Sequence, residues 1–138
     1  MNKNDRRKVY TTLGASNHID EDREEFDYYA TDPEAVKMLL ELEKFSPTII
    51  EPCCGEGHIS KVLASKGYKV ISTDLIDRGF GKGGIDFHNY TNNNGFDVIT
   101  NPPYVLAGDF LEHFTGIMTK GSKLVMFLKL LFLEGILS

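Results

Sequence analysis

Positive charge is in short supply in this chain: 15 lysines and arginines stand against 20 acids, a net charge of −5. Sequence-independent affinity for a phosphate backbone comes from Lys and Arg, so the chain is no dedicated nucleic-acid coat, although a local basic patch stays open. Lys3, Arg6, Arg7 and Lys8 cluster near the N-terminus and read as a solvated tail. Cysteine is scarcer still. There are two, Cys53 and Cys54, adjacent in sequence, which excludes a disulfide framework and zinc-ligand spacing. Both read as small apolar side chains in a reducing cytoplasm. The four histidines (His18, His58, His88, His113) are scattered with no i,i+4 pair, so no metal is expected. No apolar run is long enough to span a bilayer: the most apolar window, 124–133, is short and carries Lys129. The charged N-terminus does not read as a signal peptide. A soluble cytoplasmic protein without a membrane partner is the expectation.

What is present is an ordinary globular composition, 41% hydrophobic and 25% charged over 138 residues, enough for one domain with a core. Residues 1–27 are polar, without clear periodicity, and read as an N-terminal arm; residues 28–138 carry the domain. Asp32 is a good N-cap and Pro33 a good first helical residue. Ala35, Met38, Leu39 and Leu42 recur at helical spacing, predicting a helix to about Phe45 before Ser46-Pro47 breaks it. Strands are predicted over 48–51, 68–73, 96–100 and 123–130, with a very short strand or strand end at 85–87. Helices are predicted after the loop of residues 52–57, with Gly67 as the stop, and over 109–119.

Strands alternating with helices predict an α/β domain, and near-continuous apolar strands suit a parallel sheet covered on both faces. In such sheets ligands sit beyond the carboxyl ends of the strands, at the switch point. The candidate functional residues fall at those ends: Glu51, Asp74, Asp86 and Asn101.

Each candidate has a chemistry. Gly55 and Gly57 allow a turn where a Cβ would collide with a ligand, although many strand-to-helix turns carry such glycines for packing alone. No Gly-Lys-Ser/Thr follows, so this is not a phosphate loop of the Walker type. Asp74 lies a little over 20 residues past Glu51, a spacing that suits an acid on ribose hydroxyls. Asp86-Phe87 offers an acceptor for an adenine amino group and a ring to lie against it. The carboxylates disfavour a polyphosphate and favour a nucleoside cofactor with cationic groups, such as S-adenosylmethionine. Asn101-Pro102-Pro103-Tyr104 ends the strand over 96–100, since prolines have no N–H for a ladder. It presents an amide, a carbonyl and an aromatic ring, which suits a planar base with an amino group and equally suits a proline-capped strand end with a turn tyrosine.

Taken together in order, these stretches resemble a class I S-adenosylmethionine-dependent methyltransferase, in particular the phage-type DNA adenine N6-methyltransferases with an Asn-Pro-Pro-Tyr motif. Tyr29-Ala30-Thr31-Asp32-Pro33 resembles the family's upstream cofactor motif. Glu51-Pro52-Cys53-Cys54-Gly55-Glu56-Gly57 resembles its glycine loop, Asp74 and Asp86-Phe87 its ribose and adenine contacts, and residues 127–135 the strand and turn that follow. The resemblance implies a Rossmann-like, doubly wound, mostly parallel sheet, S-adenosyl-L-methionine held by Tyr29, Thr31, Glu51, Cys53, Gly55, Gly57, Asp74, Asp86 and Phe87, and DNA as partner. Asn101 and the Pro102 carbonyl would accept the two hydrogens of a flipped adenine's amino group, and Tyr104 would stack on the base. The methyl would transfer directly, without a covalent intermediate or a metal.

A typical domain of that family continues with further strands and a target-recognition segment, so the sheet is expected to stop after its fifth strand, by truncation or fragmentation. Residues 130–137 would then be partly uncovered and favour self-association. The alternatives are methylation of a protein glutamine or an RNA base, which shares the sp² amino chemistry, and an inactive cofactor-binding fragment.

Overall fold

Ile49 and Ile50 follow one another in a strand, so their side chains point to opposite faces; both are buried, at 0% and 2% exposure, which requires cover on both sides. A computed structural model describes residues 30–128 and supplies that cover. In chain order the elements are α1 (Pro33–Leu42), β1 (Thr48–Glu51), α2 (His58–Ser65), β2 (Lys69–Ser72), a 3-10 turn (Phe87–Asn89), β3 (Asp97–Thr100), a 3-10 turn (Tyr104–Leu106), α3 (Ala107–Ile117) and β4 (Leu124–Met126). The four strands form one parallel sheet in the order β2-β1-β3-β4.

Alternation sorts the core into two layers. Val36 of α1 and Ile59, Val62 and Leu63 of α2 pack with Ile49 and Ile99, joined by Val70 and Val125. On the other face Phe110 and Phe114 of α3 pack with Ile50 and Val98, joined by Ile71, Leu124 and Met126. The protein is therefore α/β with helices on both faces of a small parallel sheet, an arrangement compatible with a Rossmann-like fold. The chain leaves β1 toward β2 on one side, while β3 pairs on the other side, so the strand order reverses between β1 and β3.

Local chemistry explains most boundaries. Asp32 caps α1, accepting from the Glu34 N–H at 2.9 Å, and Pro33 opens the helix. The helix stops at Leu42, short of Phe45, because Glu43 turns extended while its N–H still bonds the Leu39 carbonyl; Phe45 then packs against the core. The expected strand at 85–87 is instead the 3-10 turn, because the Asp86 carboxylate accepts the His88 N–H and caps a turn. Four strands, not five, are therefore present among the described residues. α3 starts two residues earlier than expected, continuing the turn at Tyr104–Leu106. β4 spans three residues, although the Phe127 N–H still bonds the Thr100 carbonyl at 2.9 Å. The N-terminal arm, Tyr29 and the apolar stretch over 130–137 lie outside the described residues.

Candidate functional site

The carboxyl ends of β1 and β3 lie side by side, and each ends on a polar residue. Glu51 is 1% exposed. Its carboxyl accepts a short hydrogen bond from the Thr100 hydroxyl and is supported by the Cys53 backbone N–H. Burial raises its pKa to about 8; the Thr100 bond offsets part of this, and nearby Asp74 adds to it. Among the described residues no lysine or arginine pairs with it. The shift favours the protonated form, because an ionised carboxylate without a counter-charge is costly to bury.

The loop after β1 is stitched to the end of β2. The Thr73 N–H donates to the Glu51 carbonyl at 3.0 Å and the Cys54 N–H to the Thr73 carbonyl at 2.9 Å. Asp74 completes the stitch: its carboxylate accepts from the Gly55 N–H at 2.8 Å and the Ile76 N–H at 3.0 Å. Gly57 has φ +90°, and a Cβ there would lie 2.6 Å from the Phe80 ring. The approach that sequence reserves for a ligand at this glycine is taken here by a phenyl group. Phe80 is held by its own loop, whose Lys82 bridges to the end of β2.

Asn101 follows β3, and its Nδ2 donates to the Thr31 hydroxyl at 2.9 Å across 70 residues. Thr31, Glu51, Cys53 and Asn101, all expected site residues, line one cleft of about 20 Å³ together with Cys54, His58 and Ile59. That is room for about one water and far below the roughly 300–1,000 Å³ of ordinary ligand sites. The thiols are not nucleophiles: burial, then Glu51 and Asp74, pushes Cys54 up to about 12 and Cys53 well above its ordinary value.

Other expected residues stand apart from the cleft lining. Pro102 is buried, so its carbonyl must be uncovered before a substrate can reach it. Tyr104 begins the 3-10 turn and is half-buried. Asp86 accepts from both the backbone N–H and the Nδ1 of His88, which holds its carboxyl below the usual range. Phe87 is a core residue at 7% exposure, with His88 stacked on it at 4.1 Å between ring centroids and Phe110 edge-on at 5.1 Å. Its ring is thus engaged within the protein.

Three lining residues escaped the sequence reading. His58 and Ile59 open α2 directly after the glycine loop, and Cys54 neighbours a candidate, so proximity to the loop was the available signal. Thr100, which touches Glu51, had only its place before Asn101. Among the described residues no cluster of three or more His, Cys, Asp or Glu side chains could hold a metal ion, and no helix is long and apolar enough to cross a membrane. Comparison with family models, curated proteins and solved structures returns no match.

Proposed function

We propose that this chain transfers a methyl group from S-adenosylmethionine to the exocyclic N6 amino group of adenine in DNA. The observation that carries the reading is the convergence of Thr31, Glu51 and Asn101, from three distant stretches, on one cleft at the carboxyl ends of paired parallel strands. The donor set suits the cofactor's charge. A buried carboxyl that has no cationic partner among the described residues would gain one from a ligand carrying sulfonium and ammonium groups. Asp74, ending the neighbouring strand, would exchange part of its backbone bonding for ribose hydroxyls. Room is the cost: a ligand of this size needs the Phe80 side chain to shift from Gly57.

The cofactor supplies an electrophilic methyl; the protein's own groups position the acceptor. Asn101 Oδ1 would accept one hydrogen of the target amino group, with the amide's nitrogen end held by Thr31. The Pro102 carbonyl would accept the other hydrogen once uncovered, and Tyr104 would stack on the base. Holding both hydrogens aims the nitrogen lone pair along the transfer line and stabilises the positive charge that develops there. In duplex DNA the adenine must leave the stack first.

The test is incubation of the chain with methyl-labelled S-adenosylmethionine and DNA, RNA or protein. Label in DNA adenine is expected, with Asn101→Ala lowering turnover about 10²–10³-fold, the scale of one lost transition-state contact. Label on protein alone would refute the DNA assignment.

A further inference from the structure

Glu51 lines the cleft with its carboxyl buried, so a cation that enters the cleft meets a group able to give up a proton. We infer that Glu51 holds its proton in the empty protein and loses it to solvent when S-adenosylmethionine binds, so that binding releases one proton. The inference rests on the proposed cofactor and goes beyond it, because it concerns what binding does to the protein.

The geometry is specific. Glu51 is 1% exposed at the end of β1, wedged against β3, whose Thr100 hydroxyl is its side-chain hydrogen-bond partner. The other titratable groups facing it are Asp74 at the end of β2, Cys53 and Cys54 in the glycine loop, His58 at the start of α2 and Tyr90, whose hydroxyl bonds Thr73 at 2.8 Å. Thiols and phenols carry no positive charge in either form, and burial keeps the two thiols and Tyr90 protonated. Asp74 adds negative charge. Among the described residues no lysine or arginine pairs with Glu51, and the groups that bond its carboxyl, the Thr100 hydroxyl and the Cys53 N–H, are neutral donors. A ligand with fixed positive charge entering the cleft reverses the balance: the carboxylate becomes the favoured form, and its proton leaves through the cleft mouth.

The consequence is measurable. Below pH 7 the cofactor's own amino group stays charged, since such groups titrate at about 7.7–8.0. Binding affinity should then rise about tenfold per pH unit between roughly pH 5.5 and 7. Titration calorimetry at pH 6.5 in phosphate and in imidazole, buffers with different ionisation enthalpies, counts the protons released. Wild-type protein should release about one per bound S-adenosylmethionine. Glu51→Gln keeps the shape and the Thr100 acceptor and should release none, with a flat affinity profile over the same range. Binding without proton release by the wild type overturns the inference and leaves the cofactor intact. Equal release by Glu51→Gln also overturns it, because the proton then comes from another group. Absence of binding by the wild type removes the cofactor and the inference together. A carboxyl-carbon NMR titration of the unliganded wild type needs no substitution: a Glu51 signal titrating near 8 supports the inference, and one near the ordinary 4.5 overturns it.

Discussion

Glu51 and Asp97 are both buried acids on paired strands, one at the carboxyl end of β1 and the other at the amino end of β3. Their surroundings differ. Asp97 accepts the Ser46 N–H at 2.8 Å and the Lys123 N–H at 2.7 Å, one on each carboxylate oxygen, and its own N–H donates to Ser46 Oγ at 2.8 Å. It ties three segments together at the base of the sheet. Glu51 has the Thr100 hydroxyl, the Cys53 N–H and a neighbouring carboxylate. The first acid is bonded into the fold. Among the described residues the second has no basic partner, and burial favours its protonated form, the pattern common among groups that serve a ligand.

The largest effect should come from removing the bonded acid. Asp97→Ala strands the Ser46 and Lys123 N–H groups and should cost about 3–6 kcal/mol, at roughly 1.5–3 kcal/mol per bond to a charged group; urea denaturation measures it. Next comes the loop beside Glu51. Gly57→Ala places a Cβ against Phe80 at a left-handed backbone angle and should cost about 2–3 kcal/mol. The same substitution in a Phe80→Ala background should cost less, and equal costs would show that the ring is not the obstacle.

Glu51 itself should show in the pH dependence of stability rather than at one pH. Its folded value of about 8 lies above its ordinary 4.5, so the folded state holds a proton that the unfolded state has released between those values. The associated stability is complete below about pH 4.5 and is lost as pH rises toward 8, by about 1.4 kcal/mol per unit. Glu51→Gln should remove that slope, and a slope unchanged in the variant would place its source elsewhere. The smallest effect belongs to the surface pair of Lys123 and Glu43, at 2.5 Å and half-exposed. Glu43→Gln should leave the urea midpoint where it was.

The contrast also marks where sequence stops being legible. Thr48–Glu51 was readable because strand and turn signals are local, and α1 because Asp32 and Pro33 announce its start. The two-layer core follows from strand alternation. Asp97 gave no signal, since its partner Ser46 lies 51 residues away and bonds through the backbone. The same holds for buried Asn93, which joins the Phe96 carbonyl, Ser122 and Thr119 through contacts without a periodic pattern. Phe80 over Gly57 was hidden for another reason: four glycines in residues 77–84 read as a loop, and nothing local says where such a loop lies. Phe87 reads as a stacking ring because a short Ile-Asp-Phe run does not reveal the Asp86 cap that turns the ring into the core. The candidate site was legible as positions at strand ends; the protonation of Glu51 and the cover over the glycine loop required the third dimension.

If, as proposed, the carboxyl ends of β1 and β3 bind S-adenosylmethionine while the amino end serves the fold, amide NMR during titration with S-adenosylmethionine should show the largest shifts at Cys53 to Gly57, Asp74 to Ile76 and Thr100 to Asn101, with Ser46, Asp97 and Lys123 unmoved. Shifts centred on Ser46, Asp97 and Lys123, or no shifts at millimolar ligand, would contradict it.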